Sequence, residues 1–292
     1  MSLSNLSSSI SIIATLLGSV VLTATTNAAT ISNLVHRWSF GDLTDSVGGA
    51  DISLHGAALL NGSGSLSLPG SSIPRTNYAS VAIGSTISAA NSLTVETWAT
   101  TTVNQTWSKV WMFGNSTGPH RGMDFAPVRR GVTNTLPGVA YSADFSQYET
   151  VIQEPNFASA PLATGTQFFS AVVFDANFHL ISLYINGVYG GGIYWGGSVS
   201  DLGNTAENFF GAAVGFPDND YNGSINELRI WNSALSSSEI ASNAVAGPNV
   251  ISVPEPSALL IGLVSTLGFA RRRRANFRKS LQQKTCPLVI IP

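Results

Sequence analysis

Between Leu34 and Trp231 the chain is divided into short apolar runs that alternate with polar residues, and each run is closed by Gly, Asn, Asp or Pro. The runs are Leu34 to Phe40, Ser65 to Leu68, Tyr78 to Ile83, Ser92 to Thr100, Lys109 to Phe113, Phe168 to Asp175, Leu180 to Asn186, Phe209 to Phe216 and Gly223 to Trp231. A period of two with turn formers at these intervals predicts the strands of a sandwich. No run holds a sustained helical period and no fixed repeat recurs, so this reads as one antiparallel all-β domain of about 200 residues. Two sheets packed face to face would bury Leu93, Val95, Ala171, Val173, Leu228 and Ile230.

A helix is expected only after the last strand. Ser236 and Glu239 form a capping box, with Leu235 and Ile240 at the staple positions, and Gly247-Pro248 ends the helix near Ala246. Asn249 to Ser252 then reads as a short linker.

Only 10% of the 292 residues are charged, and abundant turn formers with few charges suit an exported β protein. Between Thr30 and Ser252 there are seven Lys+Arg against fifteen Asp+Glu, while the remainder holds seven Lys+Arg and only Glu255. An acidic body repels phosphates, which argues against a nucleic-acid partner and suits calcium or neutral sugars better. The single cysteine, Cys286, lies far outside the body, so no disulfide, thiol nucleophile or cysteine-ligated metal is expected there.

Both ends carry export patterns. Ile10 to Leu22 is apolar and Thr26-Asn27-Ala28-Ala29 supplies small residues, the arrangement of a signal peptide over residues 1–29, although its first segment lacks Lys and Arg. At the other end, Val253-Pro-Glu-Pro-Ser257 precedes the uncharged run Ala258 to Ala270, followed by Arg271, Arg272, Arg273 and Arg274. Thirteen residues rise only about 20 Å as a helix, short of the roughly 30 Å of a stable span, so the run fits a provisional transmembrane helix stopped by arginines on the inside. Pro254-Glu255-Pro256, the short helix and the arginines together resemble the PEP-CTERM sorting signal of Gram-negative bacteria. That resemblance implies recognition by exosortase, a membrane peptidase, with release or attachment at the cell surface or in the exopolysaccharide matrix. The family usually ends soon after the arginines, whereas residues 275–292 continue here as a basic tail. The expected layout is then a signal peptide at 1–29, a domain at 30–247, a linker at 248–252, the sorting signal at 253–274 and a tail at 275–292.

The segments Leu34-Val-His-Arg-Trp-Ser-Phe40, Asp45-Ser-Val-Gly-Gly-Ala-Asp51, Leu93-Thr-Val-Glu-Thr-Trp98, Leu183-Tyr-Ile-Asn-Gly187 and Gly223-Ser-Ile-Asn-Glu-Leu-Arg-Ile-Trp-Asn232 resemble the bacterial laminin-G-like domains of the concanavalin A-like superfamily. The resemblance implies a two-sheet jelly roll whose concave face or rim binds sugars or proteins, often with a structural calcium ion. It implies no reaction, because one fold hosts lectins, adhesion modules and hydrolases.

The chemistry can be narrowed further. A laminarinase-type hydrolase of that superfamily would present Glu-x-Asp-x-Glu on one strand, with two carboxyls about 5 Å apart. No such run exists, so no catalytic residue is assigned. In Ser92 to Thr100, Trp98 could stack on a pyranose while Glu96 accepts its hydroxyls. The plainer arrangement pairs Glu96 with an arginine such as Arg229 and uses Trp98 to fill space. Asp218-Asn-Asp220-Tyr-Asn222-Gly223 matches the first six positions of a calcium loop, but Arg229 stands where the closing glutamate belongs, leaving a weak calcium site or an ordinary turn. A second calcium position, on the closing strand as the resemblance places it, falls on Asn226 with Asp45 as its compensating carboxylate. His36, His55, His120 and His179 show no zinc spacing, and no Gly-x-Ser-x-Gly elbow occurs. The glycine-rich stretch Gly187 to Gly197 opens no helix and lacks a Lys-Ser/Thr ending, so it reads as a hairpin region rather than a phosphate loop. On it Tyr189, Tyr194 and Trp195 would stand at the sheet's rim as a sugar-contact surface. The reading is a non-catalytic module for glycans or exopolysaccharide, with a glycoside hydrolase or a ligand-free matrix protein as the alternatives.

Overall fold

The structure is a computed structural model that describes residues 33–117, 121–129, 136–143 and 161–251. The expected signal peptide, sorting signal and basic tail lie outside the described residues. The strands are β1 (Leu34–Trp38), β2 (Ile52–His55), β3 (Leu59–Leu60), β4 (Leu66–Ser71), β5 (Tyr78–Val81), β6 (Leu93–Thr101), β7 (Trp111–Asn115), β8 (Arg121–Arg129), β9 (Leu136–Ser142), β10 (Gln167–Asp175), β11 (Leu180–Ile185), β12 (Val188–Tyr194), β13 (Glu207–Phe210) and β14 (Asp220–Trp231), and the helices are α1 (Gly84–Ala89) and α2 (Ser237–Ala246).

All the strand pairs are antiparallel, in two sheets. The larger runs β12-β11-β10-β6-β14-β4-β3 with β1 also paired to β14, and the smaller runs β2-β5-β13-β7-β8-β9. Trp38, Leu93, Val95, Phe113, Phe125 and Ile230 fill the space between them. This is the expected two-sheet sandwich, consistent with a jelly roll.

Leu93, Val95, Leu228 and Ile230 point into that core as expected, but Ala171 and Val173 do not. In β10 it is Val172 and Phe174 that face the other sheet, while Ala171 and Val173 join a second cluster with Trp98, Phe169, Trp231 and Ile240 on the outer face. That strand is buried on both sides, so apolar residues occupy both phases and alternation cannot tell them apart.

What covers the outer face is α2. Its N-cap Ser236 accepts from the Glu239 N–H while Glu239 reaches back to the Ser236 N–H, and Gly247 ends it at φ 79°. A backbone in that region favours glycine. The staple residues Leu235 and Ile240 are both buried in the outer cluster. The shorter α1 contradicts the expectation of a single helix after the last strand; only Gly84 and Ile87 are buried and no side chain caps it, so it leaves no periodic trace.

The expected linker is likewise not free through Ile251. Asn249 N–H donates to Glu227, the Val250 carbonyl accepts from Arg229 Nη2 at 2.8 Å, and Ile251 packs on the outer cluster. Residues 248–251 therefore form a strap that closes over buried charges. A chain ended after Gly247 should melt several degrees below one ended after Ser252 in a thermal scan; equal melts would show that the strap contributes nothing.

Candidate functional site

The sequence candidates divide sharply by burial. Glu96 and Trp98 lie beneath α2, with 0% and 2% of their surface exposed. Glu96 accepts from Trp231 Nε1 at 2.8 Å and Asn243 Nδ2 at 2.9 Å, and Arg229 Nη1 stands 3.9 Å away. Burial pushes its carboxyl up to about 7, against the pull of Arg229 and the two hydrogen bonds. Trp98 packs on Phe169 and takes the Arg229 guanidinium over its ring at 4.4 Å. The proposed sugar contact by this pair is corrected: a side chain sealed under a helix cannot stack on a ligand.

Trp195 is also corrected. It is 3% exposed and packs edge-on against Tyr141 and Phe174 between the sheets. The glycines after it suggest a free loop, but the indole turns inward.

The side chains expected to hold calcium do not converge on one point. Asp220 is fully buried, and its carboxylate accepts the backbone N–H groups of Arg75, Thr76 and Asn77, each at 2.8 Å. Asp218 instead pairs with Lys109 at 3.3 Å. Asn222 lies on β14 opposite Pro69 of β4. Asn226 donates to Gln167 Oε1 and accepts from Asn249. Asp45, between β1 and β2, is held by the His36 ring and the N–H groups of Arg37, Val47 and Ala50. Burial alone would raise the Asp45 carboxyl, but these bonds hold it below its usual range. These acids are structural acceptors, and among the described residues no group of three or more His, Cys, Asp or Glu is placed to hold a metal.

One cluster had no sequence signature. Lys109, 2% exposed, lies between Asp218 and Asp124, and Asp124 also binds Arg129. Burial lowers the Lys109 ammonium and raises the Asp218 carboxyl. Trp107, at φ 68°, has the cations of Lys109 and Arg129 about 5 Å from its ring centre. The charges balance within the cluster.

Two of the aromatic candidates are exposed, both on the β11–β12 hairpin at the edge of the larger sheet. Asn186 and Gly187, at φ 51° and 78°, form its two-residue turn, which is why Asn-Gly stands there. Beyond the turn Tyr189 is 53% exposed and Tyr194 69% exposed. A Cβ on Gly192 would lie 2.7 Å from the Tyr189 hydroxyl, so glycine is needed for that ring to lie along the strand. Tyr184 supports Tyr189 edge-on, with ring centres 5.4 Å apart.

Beside this hairpin opens a cavity of about 490 Å³. Its apolar wall includes Leu162, Phe168, Ile185, Val188 and Tyr189, and its polar groups are Thr166, Gln167 and Asn186. That size and that mixture are typical of a small-ligand site. A family model for the concanavalin A-like lectin/glucanases superfamily matches residues 75–241, which span both the cavity and the core strands. The chain belongs to this superfamily. No curated protein gives a significant match.

Solved structures resemble this laminin-G-like fold at low identity. Domain 4 of AbnA, a GH43 extracellular arabinanase from Geobacillus stearothermophilus in complex with arabinotriose, aligns at a TM-score of 0.55 and 20% identity, covering 72% of this chain and 97% of that one. The binding domain of botulinum neurotoxin DC in complex with rat synaptotagmin II aligns at 0.54 and 16% identity, covering 75% of this chain and 52% of that one. Botulinum neurotoxin type C, from a structure described as showing that cell entry depends on interaction with two ganglioside molecules, also aligns at 0.54 and 16%, with 74% and 51% covered. This chain thus spans about half of each toxin chain, and identities so low carry the fold alone.

Proposed function

We propose that the chain is a non-catalytic glycan-binding module whose ligand is held at the β11–β12 edge. The observation that carries this is the juxtaposition of the exposed Tyr189 with a cavity of about 490 Å³ that combines apolar walls with neutral hydrogen-bonding groups. Aromatic faces and neutral amides are what a sugar ring needs, one for its C–H face and the other for its oxygens. The domain bound to arabinotriose and the ganglioside-dependent toxin lend support at the level of fold. Against catalysis, Glu96 and Glu227 are buried in ion pairs, and Asp124 and Asp218 are neutralised by Lys109 and Arg129. The export reading belongs to the same proposal: a surface- or matrix-associated protein delivered by its signal peptide and sorted at Pro254-Glu255-Pro256 by an exosortase-type peptidase.

Tyr189→Ala should weaken retention on a glycan array by about tenfold or more, while leaving stability within about 0.5 kcal/mol because the ring is half exposed. Tyr194→Ala, at the far end of the strand, should matter less. Retention of a glycan by the Tyr189 variant at wild-type strength would move the site elsewhere, and new reducing ends in the incubated glycan would make the protein a hydrolase. For the sorting proposal, mass spectrometry of the surface form should find no peptide carrying Arg271 to Arg274.

A further inference from the structure

The charge cluster around Lys109 brings a buried amine against a carboxyl. Lys109 stands two residues before β7 of the smaller sheet, and Asp218 two residues before β14 of the larger. Lys109 Nζ lies 3.3 Å from Asp218 Oδ2, and the two side chains are 2% and 20% exposed. Groups held this close in a fixed geometry react as if at very high local concentration.

An ammonium beside a carboxylate is ordinarily inert, since the nitrogen has no lone pair and the carboxylate repels a nucleophile. Burial works against that charged form. It lowers the Lys109 ammonium against the pull of Asp124 and Asp218, and it raises the Asp218 carboxyl against the pull of Lys109. One proton passed from nitrogen to oxygen turns the ion pair into a neutral amine facing a neutral acid.

Asp124, on β8, is the third member. Its Oδ2 is 4.0 Å from Lys109 Nζ, and Arg129 engages both of its oxygens. That pairing fixes its position and makes it a proton carrier rather than the carboxyl that is attacked. Trp107 completes the surroundings. Its N–H donates to the Val128 carbonyl at 3.0 Å, its backbone sits at φ 68°, and its ring centre is 5.1 Å from Lys109 Nζ. A side-chain-bearing residue in that region is held there by its neighbours.

From this arrangement we infer that Lys109 and Asp218 join in an intramolecular isopeptide bond. The Lys109 Nζ lone pair attacks Asp218 Cγ, Asp124 takes a proton from the nitrogen and returns it to the departing hydroxyl, and one water leaves. Ammonium and carboxylate become amide and water, with no oxidant, nucleotide or second protein consumed. The bond ties the entry to β7 to the entry to β14, across the two sheets, in a body whose sequence from Leu34 to Trp231 has no cysteine. A cross-link between residues so far apart in sequence restricts the unfolded chain as a disulfide would.

Mass spectrometry of the full chain tests this. The denatured wild type should weigh one water less than its sequence, trypsin should fail to cut after Lys109, and one branched peptide should join Lys109 to Asp218. Lys109→Arg and Asp218→Ala should each run at full mass. Asp124→Asn, with its fold checked by circular dichroism, should form the bond at least about 100-fold more slowly than the wild type. A wild type at full mass that is cut after Lys109 overturns the inference, and so does a water lost elsewhere, a link from Lys109 to Asp124 included. A folded Asp124→Asn chain that links as fast as the wild type removes Asp124 as the proton carrier. Should a variant fail to fold, the wild-type mass and peptide map still decide whether the bond exists.

Discussion

Replacing Arg229 with methionine is expected to destabilise the domain by about 3–5 kcal/mol, the usual result of removing one member of a buried ion network. Arg229 is fully buried; its Nε donates to Glu227 at 2.7 Å, its Nη2 to the Val250 carbonyl, and its guanidinium covers the Trp98 ring. Without it Glu96 loses its neighbouring cation, and Glu227 retains only Arg37, at 2.6 Å, and the Asn249 N–H. The loss should depend on pH in a defined direction. Glu96 titrates near 7 in the folded protein against 4.5 ordinarily, so between those values the folded state binds more protons than the unfolded one. Stability therefore falls as pH rises through this window, by about 3 kcal/mol in all. Removing Arg229 raises the Glu96 carboxyl further and extends the window upward, making the penalty smallest near pH 5 and largest near pH 8. Urea denaturation of wild type, Arg229→Met and Glu96→Gln across that range checks the scheme. The glutamine variant keeps one acceptor oxygen, enough for Trp231 or Asn243 but not for both, so it should cost some stability at every pH while flattening the decline. If its pH profile follows the wild type, another group is titrating.

The same face explains why the fold was easier to read than its details. Period-two runs located the strands that are buried on one side, β1 and β4 among them, and the Ser236–Glu239 box located α2 because capping is a local matter. Strands covered on both sides gave no phase: β10 misled for Ala171 and Val173, and β8, with Arg121, Asp124 and Arg129 among its largely buried residues, gave no apolar run at all. Site residues were harder for a related reason. Trp98 and Trp195 carry the chemistry of sugar contacts, but exposure is a tertiary property, decided by α2 in one case and by Tyr141 with Phe174 in the other. The exposure of Tyr189 and Tyr194 was legible because the Asn186-Gly187 turn and the following glycines mark a hairpin edge. The cavity beside them was not, since Leu162, Thr166 and Asn186 come together only across strands.

Asp220→Asn supplies a large expected effect at a place where turn chemistry alone suggests none. A surface turn accepts Asn as readily as Asp, and a weak calcium site would lose only its calcium response. In the structure, however, Asp220 holds the segment that carries the chain from β4, in the larger sheet, to β5, in the smaller one. Within that segment Arg75 sits at φ 54°, a conformation that a residue with a Cβ adopts only under constraint. Three N–H donors converge on two carboxylate oxygens, and the side chain is sealed from water. An amide can satisfy the donors at one oxygen only; its NH₂ group then faces an N–H at the other, and the negative charge that strengthened all three bonds is gone. The expected cost is about 2–4 kcal/mol, a fall in Tm of roughly 5 to 15 °C for a domain of this size. It should be the same in calcium and in chelator. A metal ligand would behave in the opposite way, with Asp220→Asn melting alongside the wild type in chelator and falling behind only when calcium is added, so two melts of each protein separate a buried acceptor from a calcium loop.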